Sequence, residues 1–357
     1  MKFHKKTDYL IDIRLFRDGP MAFWYAALAL VLLIGPLVTP EYLLGQAVFT
    51  GIYVIAGAGL MLLSGYAGQI SLGHAAFLAV GAYTAALLEK AGVPFPVALL
   101  AAGLVAATTG VVIGIPALRL SGIYLAIATL AYAFIVTEVL LRWDSVTKGA
   151  SGIHVPKLDI FGWQADSEIK LYYVVLTVAV LSMLAVRNIL RAPLGLAMMA
   201  VRDSETAART MGVPVARVKL TAFALSAALT GFAGALYAHK VPYIEPEQFN
   251  ILISVELLVL IFIGGIGSLH GIVFGAAFVI SLPQWIAIAK DYLPAYVAQQ
   301  PGLQAAVYGL LLLLFIVFEP TGLYGIWLKI KHYFSMFPFY RKGAMRLQKT
   351  HAKSETW

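Results

Sequence analysis

Apolar runs of about twenty residues follow one another along almost the whole of this 357-residue chain, and no other feature limits its fold as strongly. A helix needs about 20 mainly apolar residues to cross a hydrocarbon core about 30 Å thick. By that rule spans fall near residues 21–39, 46–64, 72–89, 95–115, 121–141, 171–187, 219–239, 251–267, 271–289 and 304–327, which makes ten. The expected fold is an all-α integral membrane protein with about ten transmembrane helices. Gly, Ser and Gln interrupt the apolar run around 64–73, and the eighth and ninth spans are closely spaced, so a re-entrant segment is the alternative at both places. The first run, Met21 to Val38, outlasts a secretory signal core and follows a charged stretch ending at Asp18, as an uncleaved first span does. Composition agrees: 61% of residues are hydrophobic and 12% charged, against roughly 25% charged in soluble domains.

Basic residues give the orientation. With both termini cytoplasmic, the inner segments collect nineteen Lys and Arg, including Arg119, Arg187, Arg191, Arg202, Arg209, Arg217 and Lys219. The outer segments hold only Lys90, Arg142, Lys148, Lys157, Lys170, Lys240 and Lys290. This is the bias of the positive-inside rule. The chain thus divides into a cytoplasmic N-terminal segment (1–20), a membrane domain (21–327) and a basic cytoplasmic tail (328–357). The domain carries an outer loop at 142–170 and an inner loop at 188–218. No sequence repeat is visible, and an inverted structural repeat, which survives without one, is carried as an expectation.

The formal charge of +8 would suit nucleic acid, but its confinement to segments between apolar runs fits membrane topology and anionic lipid instead. With no Cys and no HExxH pair among seven His, no metal site is expected. GxSxG and GxxxxGK[ST] are also missing, so no enzyme activity is expected of this chain. If ATP drives it, a separate subunit on the cytoplasmic face must hydrolyse it.

The inner loop offers a dock for one. In its stretch VRDSETAARTMGVP, Asp203 or Ser204 can cap a helix of about nine residues, Glu205 suits its positive end, and Gly212 before Pro214 stops it. Ala207, Ala208 and Met211 give it a small-residue side, with Arg202 and Arg209 elsewhere, to sit in a partner's cleft. The plainer account is a basic loop that only obeys the topology rule.

Three further places carry polar or small residues. Gln69, Ser71 and His74 stand among Gly65, Gly68 and Gly73, where unwound helix could offer a substrate hydrogen bonds, or could simply form a tight turn. Glu256 is a charge in an otherwise apolar span, costly unless functional or close enough to the surface to be solvated. Gly267, Gly271 and Gly275 recur every four residues and are expected to line one helix face for close packing. Glu138 and Arg142 make an ordinary i,i+4 pair.

Taken together, GYAGQISLGHAAFLAVGAY, RDSETAARTMGVPVARVKLTAFALSAALTGFAGALYA and GGIGSLHGIVFGA resemble the permeases of branched-chain amino acid ABC importers, over about residues 45 to 327. The resemblance implies a multi-pass subunit of a bacterial or archaeal cytoplasmic membrane that forms half of a translocation path. It implies a second, related permease, two cytoplasmic ATPase subunits and an extracytoplasmic binding protein as partners. No cofactor is implied on this chain, since ATP and Mg would belong to the ATPase subunits. It also implies that Arg202, Asp203, Ser204, Glu205, Ala207, Ala208 and Gly212 belong to the helix that couples to them. Importer permeases often show E-A-A, three residues, then Gly; here Thr206 replaces that Glu and Glu205 sits one position early. Permeases similar to this one carry urea, short amides or other amino acids. An ion-gradient-driven transporter is the rival class, opposed by the scarcity of ionisable residues in the spans.

Overall fold

A π-helical turn, Met61–Tyr66, breaks the pattern of plain helices in the middle of the molecule and sends the chain back into its own core. The computed structural model describes residues 19–290, 292, 300, 302–319 and 321–336. Its α-helices of six residues or more are α1 (Gly19–Val38), α2 (Glu41–Leu60), α3 (His74–Lys90), α4 (Phe95–Ala117), α5 (Ile123–Arg142), α6 (Glu168–Arg191), α7 (Pro193–Asp203), α8 (Glu205–Thr210), α9 (Val215–Lys240), α10 (Ile251–Gly264), α11 (Leu269–Lys290), α12 (Leu303–Phe318) and α13 (Gly322–Met336). Local signals set several starts. Ser167 accepts from the Lys170 N–H at 3.4 Å ahead of α6, and the Asn250 side chain accepts from the Leu252 N–H at 2.9 Å ahead of α10. Proline at the first position opens α7, where the missing N–H costs nothing.

α9 is the axis of the bundle, packed most extensively on α4, α3 and α2. Lipid tails are as apolar as leucine, so helices in a membrane associate through close packing of small residues rather than through hydrophobic exclusion of water. α9 supplies them: Ala222, Ala227, Gly231, Gly234 and Ala238 are buried. A Cβ on Gly81 of α3 would overlap the Gly231 carbonyl, so these two backbones touch. Phe77, Phe223, Phe249, Ile52 and Leu60 are among the largest fully buried side chains.

One end of the bundle carries α7 and α8. The other carries the 142–170 excursion, whose strands β1 (Ile153–His154), β2 (Asp159–Ile160) and β3 (Trp163–Gln164) precede β4 (Tyr243–Ile244). β2 and β3 form a hairpin through Phe161 and Gly162, both at positive φ, and β1 pairs antiparallel with β4. The all-α expectation therefore holds for the membrane part, with two short ladders outside it. The second ladder ties the loop to the segment after α9, a long-range pairing that two-residue strands do not announce in sequence.

Helices occupy all ten expected positions, with shifted ends, but helix length does not return ten crossings. Among the described residues seven helices are long and apolar enough to cross, and the bent pair α12 and α13, 50° apart, would make eight. α3 has 17 residues, and the apolar part of α1 runs only from Phe23 to Val38. Residues 1–18 and 337–357, which hold ten of the nineteen expected inner basic positions, lie outside the described residues. So do most of the N-terminal segment 1–20 and of the tail 328–357.

Candidate functional site

α7 and α8 divide what the sequence presents as a single helix of about nine residues. Ser204, extended at φ −162° and ψ 114°, separates them and is the cap of α8: its hydroxyl accepts from the Ala207 N–H at 3.3 Å. Asp203 instead ends α7. Gly212, at φ +83°, closes α8 after six helical residues. Ala208 is buried, whereas Ala207, Arg209 and Met211 are exposed, Met211 at 84%. Ala207 and Ala208 thus face different ways. Glu205 pairs with Lys219 of α9 at 2.5 Å, so the acid one position early tethers α8 to the central helix.

Arg202, in the last turn of α7, reaches the end of the π-helical turn. Its guanidinium donates to the Gly65 carbonyl at 3.0 Å and pairs with Asp203 at 2.9 Å. Gly65 lies in the π-helical turn, a distortion that leaves carbonyls of the helix end for other donors. Gly68, at φ +69°, has no room for a side chain because a Cβ there would meet Arg202 Cγ at 2.8 Å. Tyr66 then donates to the Gly267 carbonyl at 2.8 Å. Gly267 is therefore not on a helix face; it sits at φ +81° in the break between α10 and α11. Gly271 and Gly275 do lie on α11, against the α10 backbone at Gly264 and Leu260. Gly264, which precedes the motif's first expected member, completes that contact. Three segments far apart in sequence meet at one arginine.

Ser71 and His74 are engaged elsewhere. Both are fully buried, with Ser71 Oγ 3.1 Å from His74 Nδ1 and His74 Nε2 2.8 Å from Ser226 Oγ of α9. Thr129 of α5 accepts from the Leu72 N–H and Ser254 of α10 from the Ala75 N–H, each at 2.9 Å. These hydroxyls satisfy the start of α3 where it lies next to Ser226, the twelfth of the 26 residues of α9. Irregular backbone at this depth is tolerated because protein surrounds it. Gln69 differs: it is 4% exposed, and neither its amide oxygen nor its amide nitrogen has a partner.

Glu256 is half-buried in α10, with Oε2 accepting from the Tyr53 hydroxyl at 3.0 Å. The sequence reading missed two further polar contacts near the hairpin end. His239 Nε2 lies 3.0 Å from Glu89, both nearly fully buried, and Lys240 pairs with Glu168 at 2.7 Å. The signal was available in the polar residues that end α3 and α9, but their pairing needed the fold. Among the described residues no group of three His, Cys, Asp or Glu is placed to hold a metal ion.

Comparisons with known proteins bear on this geometry. Residues 42–316 match the family described as "Branched-chain amino acid transport system / permease component". The chain is 36% identical over 302 residues to the high-affinity branched-chain amino acid transport system permease protein LivM of Salmonella typhimurium, covering 78% of this chain and 68% of that one. The LivM protein of Escherichia coli gives the same identity and coverage. It is also 24% identical over 310 residues to a probable branched-chain amino acid transport permease protein LivH of Methanocaldococcus jannaschii, covering 82% of this chain and 94% of that protein. No solved structure matches the chain.

Proposed function

Because the chain belongs to the branched-chain amino acid transport permease family, we propose that it forms half of the translocation path of an ATP-driven importer of leucine, isoleucine and valine. It is a multi-pass protein of the cytoplasmic membrane. A second, related permease supplies the other half. The likeness of this chain to both LivM and LivH proteins supports such a pair, since homologous subunits associate through equivalent faces about a pseudo-twofold axis. Two ATPase subunits dock on the α8 end, which faces the cytoplasm, and a binding protein delivers substrate at the hairpin end. ATP and Mg are held by the ATPase subunits.

The observation that carries the mechanism is the reach of Arg202 into the Gly65 carbonyl. α8 presents Ala207, Arg209 and the exposed Met211 to the ATPase, while Glu205 and Lys219 fix it to α9. Displacement of α8 moves α7 with it, and Arg202 passes that motion to the π-helical turn and, through Tyr66, to the break at Gly267. Gln69, Ser71 and His74 lie directly beyond the turn. Ser71 and His74 hold the start of α3, and Gln69 has hydrogen-bonding capacity left for substrate in an opened state.

Leucine uptake into proteoliposomes holding the complete importer tests this. Arg202→Ala is expected to cut uptake at least about tenfold, the effect of losing one charged hydrogen bond of roughly 1.5–3 kcal/mol, while all subunits still co-purify and ATP is still hydrolysed. Wild-type uptake in that variant would sink the coupling route.

A further inference from the structure

Several buried or half-buried charged side chains of this bundle have an opposite charge beside them. Lys219 has Glu205, Lys240 has Glu168, and Glu89 has His239. Glu256 differs from these: among the described residues it forms no ion pair, although it is the sixth residue of an otherwise uncharged helix. A carboxylate at such a depth is costly unless a cation or strong donors meet it. Among the described residues its one hydrogen-bond donor is a neutral phenol, Tyr53, on α2.

The surroundings suit a small organic cation. Tyr53 of α2 is hydrogen-bonded to Glu256, and Tyr237 of α9 and Tyr308 of α12 lie close enough to feel its charge. Phe249 packs on Tyr237 with ring centroids 5.6 Å apart, and Phe49 lies 6.2 Å from Tyr237. Aromatic faces beside a carboxylate attract ammonium groups through their quadrupoles. One turn beyond Tyr237, toward the hairpin end, Lys240 stands over Phe49 at 5.5 Å, so the same aromatic wall already holds an ammonium.

We propose that Glu256, with Tyr53, Tyr237 and Tyr308, receives the α-ammonium group of the amino acid as it passes from the hairpin end into the membrane. This rests on the reading of the chain as an amino-acid permease and adds to it the group that recognises the substrate's positive end. Val255 and Leu257 on either side of Glu256 in α10 suit an aliphatic side chain, and the missing cation is supplied by the substrate itself.

Uptake of labelled leucine by the complete importer in proteoliposomes, for wild type, Glu256→Gln and Glu256→Asp, tests the site. Glu256→Gln keeps shape and hydrogen bonding but removes the charge, and uptake is expected to fall at least about tenfold, as for loss of one partner of a desolvated charge pair. Glu256→Asp keeps the charge and is expected to retain most of it, with both variants recovered in complex with the partner subunits. Wild-type uptake by Glu256→Gln, or equal loss in the Asp and Gln variants, overturns the site and leaves the substrate assignment standing. Failure of the wild type to carry leucine while it carries a neutral solute such as urea overturns the substrate assignment itself.

Discussion

The two breaks in the helical ladder, at residues 67–73 and at 265–268, solve the same problem by opposite means. Both place irregular backbone where no lipid can hydrogen-bond it. The first is closed from a distance: hydroxyls of Thr129, Ser226 and Ser254, on three different helices, satisfy the segment and the start of α3. The second is closed locally. Ser268 donates to the Gly265 carbonyl at 2.9 Å and accepts from the Gly271 N–H at 3.1 Å, while Gly265 and Gly267 take positive φ. A break closed from a distance is fixed by the packing of the whole bundle, whereas the second is closed mainly within its own turn, with Met61 and Tyr66 reaching Gly267 from the π-helical turn. Tyr66 joins them, which lets one arginine address both.

Steric change should break the local closure most severely. A Cβ on Gly271 would lie 2.5 Å from the Gly264 carbonyl oxygen, so Gly271→Leu must push α10 and α11 apart. We expect a loss of about 3 kcal/mol, at the upper end for overpacking, read as a lowered melting temperature of the purified complex. A melting temperature equal to wild type would show that the second break does not depend on this contact.

The remote closure should respond to loss of a single hydroxyl. Ser226→Ala removes the partner of His74 Nε2 and is expected to cost about 1–2 kcal/mol, the penalty of leaving a buried polar group unsatisfied. The same melting measurement checks it, and no shift would mean that His74 is not held from α9. The smallest effect is expected at the link. Tyr66→Phe removes one interhelical hydrogen bond, worth about 0.6 kcal/mol on average in membranes. Its interest lies in the combination with Arg202→Ala: if the two act in series, the double variant should impair uptake no more than Arg202→Ala alone. Additive losses would mean that the breaks move independently.

Much of the fold was legible because the membrane makes it so. Lengths of apolar runs located the helices, and Gly212 and Pro214 marked the end of α8. The start of α6 moved from the expected 171 to Glu168 because Ser167 caps the helix ahead of the apolar run. The site was less legible. Arg202 and Glu205 stood out as members of a loop, yet nothing local gave their partners Gly65 and Lys219. Ser71 and His74 stood out as polar residues beside glycines, a pattern shared by substrate contacts and buried scaffolding. The fold buries both and pairs Ser71 with His74 and His74 with Ser226.

By itself the sequence determined that this protein is a bundle of membrane helices with a capped inner loop, since hydropathy, capping and proline act over a few residues. Only the tertiary structure decided which polar groups meet: Arg202 with a carbonyl 137 positions away, His74 with Ser226, and Tyr53 with Glu256. Those pairings depend on where helices cross and how they are rotated. That is set by the small-residue contacts along α9, which many sequences of equal hydropathy would place differently.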